Sequence, residues 1–234
     1  MIKILAIVPA RGGSKRLPGK NIKVLNGKPL IQWTIESALG IDDISRVMVS
    51  TDSQEIADIA LQSGAEVPFL RPKELATDTS SSSVVIEHAL NYYKSQGEIF
   101  DYVLLLQPTS PMRNKKHNEQ AIALLKSKEA DAVVSVCECE HSPLWANTLP
   151  EDMSMGQFIK DEIKNTRSQD LPLSYRLNGA IYLSKVSRFY EENTLFLSSN
   201  IFAYVMDNES SVDIDHELDF LLAETILKYK ESNA

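Results

Sequence analysis

Short apolar runs alternate with segments of helical periodicity along almost the whole chain, and that alternation restricts the fold more than any other feature. Ile4 to Val8 reads as a buried strand, and Pro29 to Leu39 carries Ile31, Ile35, Ala38 and Leu39 at helical spacing. Arg46 to Ser50 is a short strand rich in valine. Asp52 with Glu55 three residues on matches a capping box for a helix that runs to about Ser63 and stops at Gly64. Glu66 to Leu70 reads as strand, Val84 to Lys94 as helix, Tyr102 to Leu106 as strand, Lys116 to Lys126 as helix and Ala132 to Val136 as strand. Strand character returns at Gly179 to Leu183 and Phe202 to Met206, and a last helix is expected over Glu217 to Lys230.

Strands that alternate with helices build βαβ units and a mostly parallel sheet. The continuous run Val103-Leu104-Leu105-Leu106 suits a strand covered on both faces. The expected class is α/β, with a Rossmann-like, mostly parallel mixed sheet. At 234 residues and 43% hydrophobic, the chain can build one main core, so a single domain over 1–234 is expected. From Glu138 to Tyr175 the periodicity fades, and Pro, Met, Asn, Gln and charge take over. Residues 138–175 are therefore expected to form a small subdomain, a lid or an oligomerisation arm.

Ligands of such sheets bind beyond the carboxyl ends of the strands. The loop after the first strand is the most informative one. Between Arg11 and Lys28 stand six cationic residues and no acidic one, in a chain of formal net charge −8. Gly12 and Gly13 allow backbone N–H groups to approach an anion, and lysine and arginine neutralise its charge. A polyphosphate site and a merely solvated basic loop both fit this composition. A P-loop and a G-x-G-x-x-G fingerprint are both absent. The net negative charge argues against a general nucleic-acid binder. The N-terminal apolar run is far shorter than the ~20 residues of a membrane helix. Two cysteines, Cys137 and Cys139, imply no disulfide framework and suit a cytoplasmic setting. Cys137-x-Cys139-x-His141 lacks the fourth ligand and second cluster of a structural zinc site.

Asp213 and Asp215 stand at i and i+2. On an extended segment both carboxylates point the same way and can share one hard cation; alternatively they favour the start of the last helix. His88 and His216 read most simply as helix-face and capping or solvent-exposed residues.

Pro9-Ala10-Arg11-Gly12-Gly13-Ser14-Lys15, followed by Leu17-Pro18-Gly19-Lys20-Asn21, resembles the signature of the acylneuraminate cytidylyltransferases, the CMP-sialic acid synthetases. The likeness continues through Ser50-Thr51-Asp52, Arg71-Pro72 with Glu74-Leu75-Ala76, and Leu106 to Pro111. It ends with Arg176 to Tyr182 and Val212 to Asp215. These motifs fall in the family's order and span nearly the whole chain.

The resemblance implies a magnesium-dependent enzyme, with no membrane partner, that joins CTP to the anomeric hydroxyl of a nine-carbon 2-keto sugar acid and releases pyrophosphate. N-Acetylneuraminate, legionaminate and pseudaminate are the acids it suggests. Arg11, Gly12, Gly13, Ser14, Lys20 and Asn21 would then hold the nucleotide, with Arg11 and Lys20 also catalytic. Ser81 and Ser82 match the serine pair of the cytosine pocket. Gln107, Arg167, Arg176 and Tyr182 match the sugar side, and Asp213 and Asp215 the magnesium ligands of the catalytic centre. Residues 138–175 match the region through which the family forms homodimers. Near Phe196 the family places an aromatic across a dimer interface, although Leu195 departs from the aromatic pair of some members. Two other readings remain: activation of an eight-carbon keto sugar acid, and a nucleotide-binding sensor without turnover.

Overall fold

The computed structural model describes residues 2–232. Met1, Asn233 and Ala234, which the single-domain expectation included, lie outside the described residues. Six strands form one sheet in the order β4-β1-β5-β7-β6-β8. They are β1 (Ile4–Pro9), β4 (Ile44–Ser50), β5 (Tyr102–Leu105), β6 (Ala132–Glu138), β7 (Tyr175–Lys185) and β8 (Ile201–Met206). Only β7 runs against the rest: it is antiparallel to β5 and β6, while β1 is parallel to β4 and β5, and β6 is parallel to β8. The mixed, mostly parallel sheet is the one the alternation implies. A two-stranded hairpin, β2 (Val24–Leu25) with β3 (Lys28–Pro29), closes on an Asn26-Gly27 turn.

Period-two alternation assigns each side chain of β1 to a face. Ile4, Ala6 and Val8 join the core packed by α1 (Leu30–Ala38), α2 (Gln54–Gln62) and α4 (Lys115–Ser127). Leu5 and Ile7 join the opposite core, under α3 (Ser82–Ser95) and α5 (Val186–Glu192). Helices on both faces explain why these strands read as unbroken apolar runs.

A third, smaller cluster decides where the chemistry can sit. Leu17, Leu25, Leu30 and Ile214 are buried together with Phe220 and Ala223 of α6 (Glu217–Ser232). Leu17 belongs to the basic loop and Ile214 lies between the two aspartates. Fully burying a side chain of this size stabilises by about 1.5–3 kcal/mol. The cluster thus pins the basic loop and the acidic segment, nearly 200 positions apart in sequence, side by side.

Two sequence expectations need correction. Glu66 to Leu70 is not a continuous strand but touches β4 through two bridges, Met48–Glu66 and Thr51–Leu70. Pro68, between them, has no N–H to give a ladder. The cap of α2 is Ser53, whose hydroxyl accepts the Ile56 N–H, rather than Asp52. Asp52 is turned to the basic loop instead, where its carboxylate accepts the Gly12 N–H at 2.9 Å.

Residues 138–175 span the excursion between β6 and β7. Within it the structure has only 3-10 turns, at Pro143–Trp145, Asp161–Ile163 and Ser168–Asp170. Leu149, Met153, Met155 and Leu173 are exposed along it. Among the described residues, no helix is long and apolar enough to cross a membrane.

Candidate functional site

A cleft opens at the carboxyl ends of β1 and β5. The first strand's sheet neighbours lie on opposite sides there, which is the switch point where α/β sheets bind ligands. Its main chamber, about 570 Å³, is lined by Arg11, Ser14, Lys15, Arg16, Lys20 and Asn21 from the basic loop. Gln107, Pro108 and Thr109 face them from the loop after β5, and Asp213 and Asp215 from the segment before α6. Two smaller chambers adjoin it. One, about 240 Å³, shares Arg11 and Asp78 and continues over Arg71, Ser81 and Ser82. The other, about 180 Å³, shares Gln107 and is walled by Tyr182, Leu195 and Phe196.

The basic loop is shaped by its own backbone and by its neighbours. The Ser14 N–H donates to the Gly12 carbonyl at 3.1 Å, and the Asn21 amide donates to the Arg11 carbonyl at 3.1 Å. A Cβ at Gly12 would stand 3.1 Å from the Ser53 Cβ, so a larger residue there would have to push the loop or the start of α2 aside by a few tenths of an ångström. Lys20 begins a 3-10 turn and is 9% exposed. Its ammonium donates to the Ile214 carbonyl at 2.6 Å and lies 3.2 Å from the Asp215 carboxylate. Arg16 reaches Asp215 at 2.6 Å. Arg11 and Lys15 both pair with Asp78.

The two aspartates differ in environment. Burial pushes the Asp213 carboxyl up, the Asp215 charge adds to this, and a Thr109 hydrogen bond opposes it. Burial also raises Asp215, but the Lys20 hydrogen bond and the charges of Lys20 and Arg16 prevail and hold it below the usual carboxylate range. Capping of α6 falls to Asp219, which accepts the N–H groups of Asp215 and His216 at 2.9 and 2.7 Å. The aspartate pair is thereby free to face the cleft. Its segment is irregular rather than a strand, yet the alternation survives: Ile214 turns into the apolar cluster while its neighbours line the chamber.

Among the described residues, no group of three or more His, Cys, Asp or Glu gathers to hold a metal. A hard divalent cation held by two carboxylates, with substrate phosphate oxygens completing its shell, needs no third acid. Asp213, half-desolvated beside a second carboxylate, fits such an ion, which would offset the cost of its charge.

The sequence candidates separate clearly. Arg11, Ser14, Lys20, Asn21, Gln107, Asp213 and Asp215 line the main chamber; Ser81 and Ser82 line the second, and Tyr182 the third. Ser81 also caps α3, its hydroxyl accepting the Val84 N–H. Gly12 and Gly13 shape the loop without lining a chamber. Arg167 and Arg176 do not join the cleft within the chain. Arg167 pairs with Asp170 at 2.7 Å on the 138–175 arm, and Arg176 with Glu140 at 2.8 Å at the arm's base. An opposite charge three residues away captures a solvated guanidinium more readily than a distant site does. Phe196 packs edge-on against Tyr182 of the same chain at 5.7 Å.

Sequence reading passed over Arg71 and Asp78. Arg71 is buried, with its Nε unpaired among the described residues, in the second chamber. Burial lowers its pKa, partly offset by Asp52. Its motif was visible, but its burial was not.

A protein-family description, Cytidylyltransferase, matches residues 5–224. The CMP-N,N'-diacetyllegionaminic acid synthase of Legionella pneumophila is 38% identical over 236 residues, covering 98% of both chains. The N-acylneuraminate cytidylyltransferase of Escherichia coli is 40% identical over 229 residues, 97% of this chain. This chain spans only 53% of that longer relative. Among solved structures, a CMP:2-keto-3-deoxy-manno-octonic acid synthetase complexed with CTP superimposes with a TM-score of 0.71. It is 18% identical, covers 97% of this chain and 99% of its own, and speaks for the fold.

Proposed function

The chain belongs to the cytidylyltransferase family, and from that premise we propose that it transfers CMP from CTP to the anomeric hydroxyl of a nine-carbon 2-keto sugar acid. The observation that carries this reading is the main chamber itself. Arg11, Lys15, Arg16 and Lys20 face Asp213 and Asp215 across a space open to two side chambers. A triphosphate in the centre, a base on the Arg71 side and a sugar acid on the Gln107 side use all three.

In this reading Arg11, Lys20 and the loop N–H groups hold the triphosphate, and Ser81, Ser82 and Arg71 form the cytosine pocket. Gln107 and Tyr182 orient the sugar acid. The hydroxyl oxygen gives up its proton to solvent and bonds to the α-phosphorus, the α–β bridging bond breaks, and pyrophosphate departs while the α-phosphate keeps one negative charge in the new diester. Lys20 and Arg11, already fixed by neighbouring groups, lower the cost of that charge as it develops. Asp213 and Asp215 would hold magnesium, which supplies charge neutralisation at the phosphates when bound. Free Cys137 and Cys139 suit the cytoplasmic location in this reading.

A pyrophosphate-release assay with CTP and a panel of N-acetylneuraminate, legionaminate, pseudaminate and an eight-carbon keto acid tests the reading. Turnover is expected with CTP and at least one nine-carbon acid, and UTP is expected to serve poorly. No release with any acid would refute the activity, and equal kcat/KM for CTP and UTP would remove the cytosine pocket.

The 138–175 arm supports a homodimer. It exposes Leu149, Met153, Met155 and Leu173 on a segment without regular layers of its own, apolar surface that pairing of two arms would cover. Light scattering at micromolar concentration is expected to give twice the chain mass. A monomer there counts against the arm as an interface.

A further inference from the structure

Gln107 leaves β5 at the boundary of the main and third chambers, and its amide lies across the backbone of β7. The residue beneath it is Gly179. A Cβ at Gly179 would stand 2.7 Å from the Gln107 Oε1 and 3.5 Å from its Cδ. Gly179 also has φ +75°, in the left-handed region.

That backbone is a bulge held by buried polar groups. The β6–β7 register runs Val134 with Tyr182 and then Val136 with Leu177, so Ser135 alone faces Asn178 to Ile181. The Ser135 hydroxyl donates to the Asn178 Oδ1 at 2.6 Å and accepts the Ile181 N–H at 2.8 Å. Asn178 in turn donates to the Ser211 hydroxyl at 2.9 Å.

A second buried group ties the bulge to Gln107. Arg113 is 1% exposed, and its Nε donates to the Ala180 carbonyl at 3.0 Å. Its Nη2 donates to the Gln107 carbonyl at 3.2 Å and to the Thr34 hydroxyl at 2.9 Å, while Nη1 donates to the Ser37 hydroxyl. These partners are carbonyl and hydroxyl oxygens. Burial pulls the Arg113 pKa down to about 9, still above neutrality. A desolvated cation without a carboxylate is costly to keep. What it holds together are the two backbones on either side of the Gln107–Gly179 contact.

We propose that Gly179 and Arg113 are positioning residues for sugar-acid recognition: the bare Gly179 backbone seats the Gln107 amide, and Arg113 locks β7 to the loop after β5 that together set the seat. This rests on the reading that Gln107 faces the sugar acid. If the glycine served only the bulge, Gln107 would be irrelevant to its replacement, and a double-mutant cycle separates the two roles.

The cycle uses Gln107→Ala, Gly179→Ala and the double variant, with the sugar-acid KM, the CTP Kd by calorimetry and the Tm measured on each. Gln107→Ala and Gly179→Ala are each expected to raise the sugar-acid KM about tenfold, the scale of one lost polar contact. Both are expected to leave the CTP Kd within about twofold. In the double variant KM is expected to be no higher than in Gln107→Ala alone, because the amide to be displaced is gone. A multiplicative rise in the double variant, or an unchanged KM in Gly179→Ala, overturns the proposal. An unchanged KM in Gln107→Ala instead shows that the Gln107 reading has failed, and the proposal falls with it. If Gly179→Ala does not fold, the double variant decides: regained folding supports the seat, and equal loss assigns the glycine to the turn alone. Arg113→Lys keeps one charge but cannot span two carbonyls, and is expected to raise the sugar-acid KM while sparing CTP; a parallel loss of both affinities refutes its part.

Discussion

Lys20→Ala is expected to lower kcat about 10²–10³-fold, the usual cost of losing one preorganised charge contact at a centre of developing charge. Lys20 is the least exposed cation of the main chamber's loop, and its ammonium is already aimed by the Ile214 carbonyl and Asp215. Those same contacts give it a structural share. Removing the ammonium leaves the Ile214 carbonyl without this donor, a cost of about 1–3 kcal/mol if no water replaces it. A fall in Tm of several degrees is therefore expected beside the loss of rate. The two effects separate at low temperature, where the variant is fully folded. There the loss in kcat should persist, with CTP Kd weakened far less. A folded Lys20→Ala protein turning over near the wild-type rate would remove Lys20 from the chemistry and leave it a tie between loop and acidic segment.

How much of this was legible in sequence follows from the range of the forces involved. Every strand of the main sheet was foreshadowed by its apolar run: β1 and β5 because burial on both faces writes itself into consecutive residues, and the edge strand β8 by its β-branched and aromatic residues despite exposed positions. The basic loop was legible for a similar reason, as glycines and cations cluster within one turn of chain. The Asn26-Gly27 hairpin was also open to reading from its turn chemistry alone, and helix α5 was hidden because it follows β7 without a break. Long-range pairings were not legible. Asp78 meets Arg11 across 67 positions, and Arg113 reaches Thr34 across 79. Nor could sequence tell that Arg167 and Arg176 would be claimed by Asp170 and Glu140 on and beside the arm. Asp52 is the instructive failure, since its capping pattern was genuine but Ser53, one residue on, took the cap and released it to the basic loop.

Asn at either Asp213 or Asp215 is expected to remove most turnover while leaving the fold in place. Asn keeps the size and the capping ability of Asp but not the charge that a hard cation prefers. The alternative role, capping of α6, is already filled by Asp219. The two variants should nevertheless differ in stability. Desolvation and the charge of Asp215 raise the Asp213 pKa, so its ionised form is disfavoured in the free protein, and Asp213→Asn is expected to leave Tm unchanged or slightly higher. Asp215→Asn forfeits ion pairs with Arg16 and Lys20, but the carboxylate is 42% exposed and such pairs contribute about 0–1 kcal/mol, so only a small drop is expected. Activity should fall about 10²-fold or more in both, by the loss of a charge contact at the reacting phosphates. Added magnesium should recover only part of it, since occupancy returns but the ligand geometry does not. Calorimetric titration of magnesium into each variant with CTP present gives a readout independent of turnover, and the affinity should weaken in both. Wild-type activity and unchanged magnesium affinity in either variant would take that aspartate out of the metal site.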